Sequence, residues 1–335
     1  MQEPKGYLPG TVFLVSLQKL LEALAELPVF LIASKNAYSA SESFFKKYIA
    51  PTMYEIYFIS QEPSEQDRAA CAEKISAFPA EGIIFAFGGG SCLDLAKVVG
   101  KDGNRRVIAV PTTPSSGAEA SPIVLLTNRD GKKIYLSDKA FLPSMVVLDP
   151  TLLQSIPREK LGAMCMDIIA HAVESLYSRF SNPLAHAYAR MALEKLEETV
   201  HLNAEPNYAS MQLAGFFGGI AQGIAGTGLC HALAHNIGAP RGLAHADAVA
   251  LFLRSSIEVS AEHAEVSVCL IANDFPYERI FSLIKNLTQL YPLERQMIKL
   301  PTTHEVLSLI HRDPCFLSHP FRPNEEELTR ILDAV

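Results

Sequence analysis

The chain has 335 residues, 49% of them hydrophobic and 19% charged, a balance that excludes disordered, fibrous and repetitive classes. Twenty-nine basic side chains against 36 acidic ones give a formal net charge of −7. No basic block or aromatic-interleaved Lys/Arg stretch occurs, so nucleic acid is not an expected partner. At roughly 100–200 residues per domain, two domains are expected. The opening MQEPKGYLPG lacks the order of a signal peptide, and no run reaches the ~20 apolar residues of a membrane span, so the expectation is a soluble, cytoplasmic chain without a membrane partner. Six scattered cysteines (Cys71, Cys92, Cys165, Cys230, Cys269, Cys315) form no CxxC pair and read as reduced, mostly buried thiols.

Strand-like runs fall at PVFLIAS (28–34), MYEIYFIS (53–60), GIIFAFG (82–88), RVIAVP (106–111), PIVLLT (122–127), KIYLS (133–137) and MVVLD (145–149). Helical patterns separate the early ones: 15–27, 39–49 and 64–78, the last with Ser64 as N-cap and Asp67 three residues on. This alternation predicts βαβ units around a parallel sheet. KIYLS and MVVLD follow without helices and read as a late hairpin or a sheet extension. After Asp149-Pro150 long helical patterns take over, at 158–180, 184–200 and 211–238. The predicted architecture is an α/β domain with a parallel sheet over 1–150, then an all-helical domain over 151–335.

Two turns in the first domain carry polar chemistry. GIIFAFGGGSCLDLAK is a strand, three glycines and a helix start. Gly88, Gly89 and Gly90 let a ligand approach the main chain, and Ser91 opens a helix whose free N–H groups suit a pyrophosphate. The GxGxxG fingerprint is absent, since Leu93 holds its last position. The plainer alternative is a tight turn with Ser91 and Asp94 as a capping box. After the next strand, Thr112, Thr113, Ser115 and Ser116 cluster hydroxyls that would complete a cradle for phosphates and a nicotinamide amide.

The helical half carries a metal candidate. Asp167 and His171 are four residues apart, which puts both on one helix face. His231 and His235 repeat the spacing before Gly238, a helix C-cap candidate, and His245 follows a short loop. One carboxylate with several imidazoles suits Fe(II), Zn(II), Co(II) or Ni(II). Each pair alone is more often a local hydrogen bond. Buried together without a common partner, however, they would be costly. His186, His201, His263, His304, His311 and His319 lack such a pattern and read as surface or structural residues.

The ordered set GGGSCLDLAK (88–97), PTTPSSGAEAS (111–121), GKKIYLSDKAFLPSMVVLDP (131–150), MDIIAHAVESLYS (166–178) and GLCHALAHNIGAPRGLAH (228–245) resembles the iron-containing (group III) alcohol dehydrogenase family almost end to end. The resemblance implies a dinucleotide-binding α/β domain, a helical metal-binding domain, and hydride transfer between NAD(P)(H) and a small alcohol, aldehyde or ketone. It implies a divalent metal, Fe2+ or Zn2+, on Asp167, His171, His231 and His245. His235 matches a histidine near nicotinamide and substrate, the candidate catalytic proton relay. Gly89, Gly90, Ser91 and Asp94 match the pyrophosphate loop, Thr112, Thr113 and Ser116 cofactor-contacting hydroxyls, and Lys133 a basic residue near the phosphates. Cys165 and Ala244-His245-Ala246 depart from the family's frequent Gly and Pro-His-Gly. Many NAD-preferring relatives carry an acid after the strand ending at Ser34; here Lys35-Asn36 follows, which favours NADP(H). Rival readings are a maleylacetate-type reductase, which generally lacks the full ligand set, a dehydroquinate-synthase-like lyase, and a scaffold that binds cofactor without turnover. A homodimer is the default assembly.

Overall fold

The computed structural model describes residues 11–24, 27–48, 54–59, 62–131, 133–200, 205–294, 296 and 298–335. These divide into two compact units, one ending at Ser155 and the other running Ile156–Val335.

The first unit is built on a sheet whose strands are β1 (Thr11–Phe13), β2 (Val29–Ser34), β3 (Tyr54–Ile59), β4 (Ile83–Gly88), β5 (Val107–Pro111) and β8 (Met145–Val147), in the spatial order β1-β8-β5-β4-β2-β3. Every pairing is parallel. The central strands VFLIAS, IIFAFG and VIAVP are buried nearly throughout, as a sheet covered on both faces demands. Leu17, Leu20 and Leu21 of α1 (Leu17–Leu24) and Phe45 of α2 (Lys35–Tyr48) pack on Leu31, Phe85, Phe87 and Val110. Ser64 and Asp67 form the expected capping box of α3 (Glu65–Ala77). Helix α2 starts four residues before the sequence pattern suggests, because the Ser34 hydroxyl accepts the Ala37 N–H and caps it.

The late strands resolve the hairpin question. β6 (Ile123–Thr127) pairs antiparallel with β7 (Lys133–Ser137) as a separate two-stranded sheet, and both alternate in burial as one-sided strands do. MVVLD instead supplies β8, which slots between β1 and β5. The hairpin is therefore 123–137, and only β8 extends the main sheet.

The second unit is helical among the described residues. Helix α5 (Arg158–Tyr177) is buried along nearly its whole length from Leu161 onward, with α6 (Pro183–Val200), α7 (Tyr208–Ala225) and α9 (His245–Ala261) packed on it. The single helical pattern expected over 211–238 is interrupted. Gly226 adopts φ +76, a left-handed conformation open chiefly to glycine, and α7 stops there. The chain bends by 91° and resumes as the short α8 (Leu229–Leu233), which passes into a π-helical turn at Ala234–Gly238. Gly238 is consequently not a helix C-cap. It keeps right-handed angles, and Gly242, at φ +79, makes the left-handed stop before α9. No single described helix is long and apolar enough to cross a membrane.

Candidate functional site

The two turns of the α/β unit lie against one another. The Thr112 N–H donates to Gly88 O at 3.0 Å. A Cβ placed on Gly89 would sit 3.1 Å from Thr113 Oγ1, and one on Gly90 would sit 3.0 Å from Ser116 Cβ. The glycines are thus set by close approach of the hydroxyl turn as well as by the bend. Helix α4 (Gly90–Asp102) begins one residue earlier than expected, with Gly89 as N-cap and no side chain capping it. The Cys92 N–H turns back to Gly89 O at 3.0 Å, and a helix start without a side-chain cap suits an anionic ligand.

The Ser91–Asp94 capping box does not form. Asp94 instead accepts the Lys97 ammonium at 3.1 Å on one oxygen and the Leu125 N–H at 3.0 Å on the other. Lys97 is fully buried and also donates to Ala118 O and Ile123 O. Asp94 and Lys97 therefore tie α4 to the segment that follows the hydroxyl turn, at Ala118, Ile123 and Leu125. Buried nearby, Glu119 has its carboxyl pushed up to about 7 by burial, with Asp94 raising it further against the opposing pull of Lys97, and its Oε2 has no partner. Lys133 opens β7 and pairs with Glu62.

In the helical unit, four expected ligands converge. One ligand atom from each of Asp167, His171, His231 and His245 lies within 4.8 Å of the others. Asp167 Oδ1 stands 3.6 Å from His171 Nε2 and 3.5 Å from the Nε2 atoms of His231 and His245. Those separations exceed hydrogen-bond length. They match the ~3.4 Å edge of a tetrahedron whose centre is ~2.1 Å from each donor. Both Asp167 oxygens and His231 Nε2 are buried without hydrogen-bond partners. Unpaired polar atoms this deep are destabilising unless something is meant to fill the space they share. The donor set and its spacing fit a divalent cation.

The electrostatics agree at Asp167 and His171. Burial raises the Asp167 carboxyl, yet the adjoining imidazoles outweigh it and hold the group well below the usual range. Burial pushes His171 down to about 3, keeping its imidazole neutral as a ligand requires. Burial opposes charge on His231, but the adjacent Asp167 and Glu174 carboxylates raise it to about 9 in the absence of a cation.

His235 parts from His231 despite the i,i+4 spacing. The π-helical turn that contains it breaks α-helical phase, and its Nδ1 lies 3.8 Å from both Asp313 Oδ2 and Cys315 Sγ. Its ring stacks on His245 at 5.4 Å between centroids, and its Nε2 is buried without a partner. Of the remaining histidines, His263 pairs with Glu327 and His186 with the Leu176 carbonyl. His319 is fully buried and accepts the Leu229 N–H, and His201 lies outside the described residues.

Sequence reasoning missed Glu174, Asp313 and Cys315. Glu174 was detectable, since an acid seven residues after Asp167 extends the same polar stripe along an otherwise apolar helix. Asp313 and Cys315 sit far along the chain and carry no local signal.

The family model for iron-containing alcohol dehydrogenase matches residues 4–150, and the model for the C-terminal domain of that family matches 163–335. The chain belongs to the iron-containing alcohol dehydrogenase family. Among its relatives, the 1-propanol dehydrogenase PduQ of Salmonella typhimurium is 31% identical over 191 residues, 53% of this chain and 52% of that protein. The maleylacetate reductase 2 of Cupriavidus pinatubonensis is 37% identical over 176 residues, 51% of this chain and 48% of that protein. The chain thus spans about half the length of these curated relatives. An iron-containing alcohol dehydrogenase from Thermotoga maritima shares the fold, with a TM-score of 0.81 at 22% identity over 98% of this chain and 99% of that one.

Proposed function

We propose that this iron-containing alcohol dehydrogenase family member is a metal-dependent oxidoreductase that moves hydride between a nicotinamide dinucleotide and a small alcohol, aldehyde or ketone. The observation that carries the reading is the convergence of ligand atoms from Asp167, His171, His231 and His245, spaced as a coordination shell, with both Asp167 oxygens and His231 Nε2 unpartnered. These four hold a divalent cation, Fe2+ or Zn2+. Bound there, the cation supplies Lewis acidity toward a substrate oxygen, and a bound nicotinamide supplies or accepts the hydride.

The chain's own residues do the rest. The backbone at Gly88, Gly89, Gly90 and Ser91 cradles the pyrophosphate, and Thr112, Thr113 and Ser116 orient the nicotinamide end. Asp94 serves the cofactor indirectly by holding Lys97 and the β6 backbone at Leu125 against α4, and Lys133 lends positive charge near the phosphates. His235 Nε2 is the atom at which a proton is taken up or released, since imidazole can serve as either acid or base near neutrality. Residues 1–150 form the cofactor domain and 151–335 the metal and substrate domain. No acid stands where β2 meets α2, where Lys35 and Asn36 are exposed, which favours NADP(H) over NAD(H). Six free thiols, five of them buried, suit a reducing cytoplasm.

A metal-independent reduction of the maleylacetate type would leave the four ligand atoms without a purpose. The deciding experiment is metal analysis beside an aldehyde and ketone panel with NADPH, run on metal-reconstituted protein and on Asp167→Ala. Turnover that requires the metal and vanishes in the variant supports the reading. Turnover by metal-free protein overturns it. A strong preference for NADH in kcat/KM would overturn the NADP(H) assignment alone.

A further inference from the structure

Glu174 is a fully buried carboxylate one turn beyond His171 on α5. Its Oε2 lies 2.7 Å from His231 Nδ1, and its Oε1 accepts the Cys230 N–H at 2.7 Å. We propose that Glu174 is a positioning residue for the metal centre: it fixes the His231 tautomer and ring orientation so that Nε2 is the ligand atom, and it supplies the second negative charge that balances a buried dication. This inference rests on the quartet being a metal site.

Three observations carry it. A neutral imidazole that donates Nδ1–H to a carboxylate presents its lone pair at Nε2, as a metal ligand must, and His231 Nε2 is the nitrogen 3.5 Å from Asp167. The neighbouring imidazole on α5 is not so served: His171 Nδ1 is buried without a hydrogen-bond partner. Finally, the backbone is shaped to admit the carboxylate. A Cβ at Gly228 would meet Glu174 Oε1 at 2.8 Å and His319 Nδ1 at 2.9 Å, so glycine alone lets this turn close onto both side chains. Asp167 and Glu174 together carry two negative charges, which offset a divalent cation where water cannot.

No neutral isostere can replace Glu174. Both of its oxygens accept N–H donors, and an amide has one acceptor, so Gln must turn its NH2 toward either His231 or Cys230. The test is a titration of chelator-stripped protein with Zn2+ against a chromophoric chelator, on wild type, Glu174→Gln, His231→Ala and the double variant. Glu174→Gln is expected to weaken metal affinity by about 10–100-fold. In the His231→Ala background the same change is expected to add little, because Glu174 acts through that imidazole. Equal losses in both backgrounds would mean a merely structural role and would overturn the inference, as would unchanged affinity in Glu174→Gln. Should that variant not fold, 15N-histidine NMR of Zn2+-loaded wild type reads the same point. A hydrogen-bonded Nδ1–H on His231 supports the proposal, and metal on Nδ1 overturns it. Wild type that takes up no metal would instead overturn the quartet itself.

Discussion

The glycine turn of the α/β unit and the histidine cluster of the helical unit handle polar groups in opposite ways. Around the turn, side chains satisfy one another: Asp94 uses one oxygen on Lys97 and the other on Leu125, and Lys97 spends its remaining donors on Ala118 and Ile123. Around Asp167 they do not, and its two oxygens, with His231 Nε2, have no hydrogen-bond partner at all. A ligand gripped by main-chain N–H groups needs a rigid frame, so the frame's side chains are closed off. A cation gripped by side chains needs them open, and the local stability lost is recovered on binding.

Removing the carboxylate from the open cluster tests that contrast most severely. Asp167→Ala is expected to abolish metal uptake and turnover while leaving NADPH binding intact. Metal analysis and cofactor fluorescence titration check it, and retained metal would break the comparison. Next, Lys97→Ala should lower stability by about 3–5 kcal/mol in denaturant unfolding, because it strands a partner of a buried ion pair. Metal affinity should be unchanged, since all Lys97 partners lie within its own unit.

Glu119 sharpens the comparison, since near the closed turn it is a carboxyl with an unpartnered oxygen. Folding favours its protonated form, so its contribution is fully present below the ordinary value of 4.5 and is lost as pH rises through about 7. Glu119→Gln should therefore leave stability unchanged near pH 4 and gain up to about 3 kcal/mol above pH 7, read as melting temperature against pH. A pH-independent difference would contradict the assignment of a buried, neutralised acid. The smallest effect is expected at Gly90→Ala, whose new methyl crowds Ser116. It should raise the cofactor KM about tenfold, or ~1.4 kcal/mol, with metal affinity untouched.

Much of this was legible from local pattern. The central strands, the Ser64–Asp67 cap and the pairing of Asp167 with His171 each depend on residues within one turn or one pleat of each other. Where the reading slipped, the deciding partner was distant. α2 began early because of a hydroxyl on the preceding strand, the hairpin joined 123–127 to 133–137, and MVVLD found its neighbours in β1 and β5. His231 and His235 are alike in sequence spacing, yet a π-helical turn sends one toward Asp167 and the other toward Asp313 and Cys315.

The amino-acid order by itself determined the two-part architecture, the glycine and hydroxyl turns, and the chemical types able to hold a cation. Periodicity, turn residues and donor chemistry are properties of short segments, and they survive without knowledge of the fold. Tertiary structure alone decided which imidazoles converge, that Asp94 braces β6 at Leu125, and that Glu174 stands behind His231. Each of those depends on helices and strands far apart in sequence being brought within about 3 Å, a distance only packing can set.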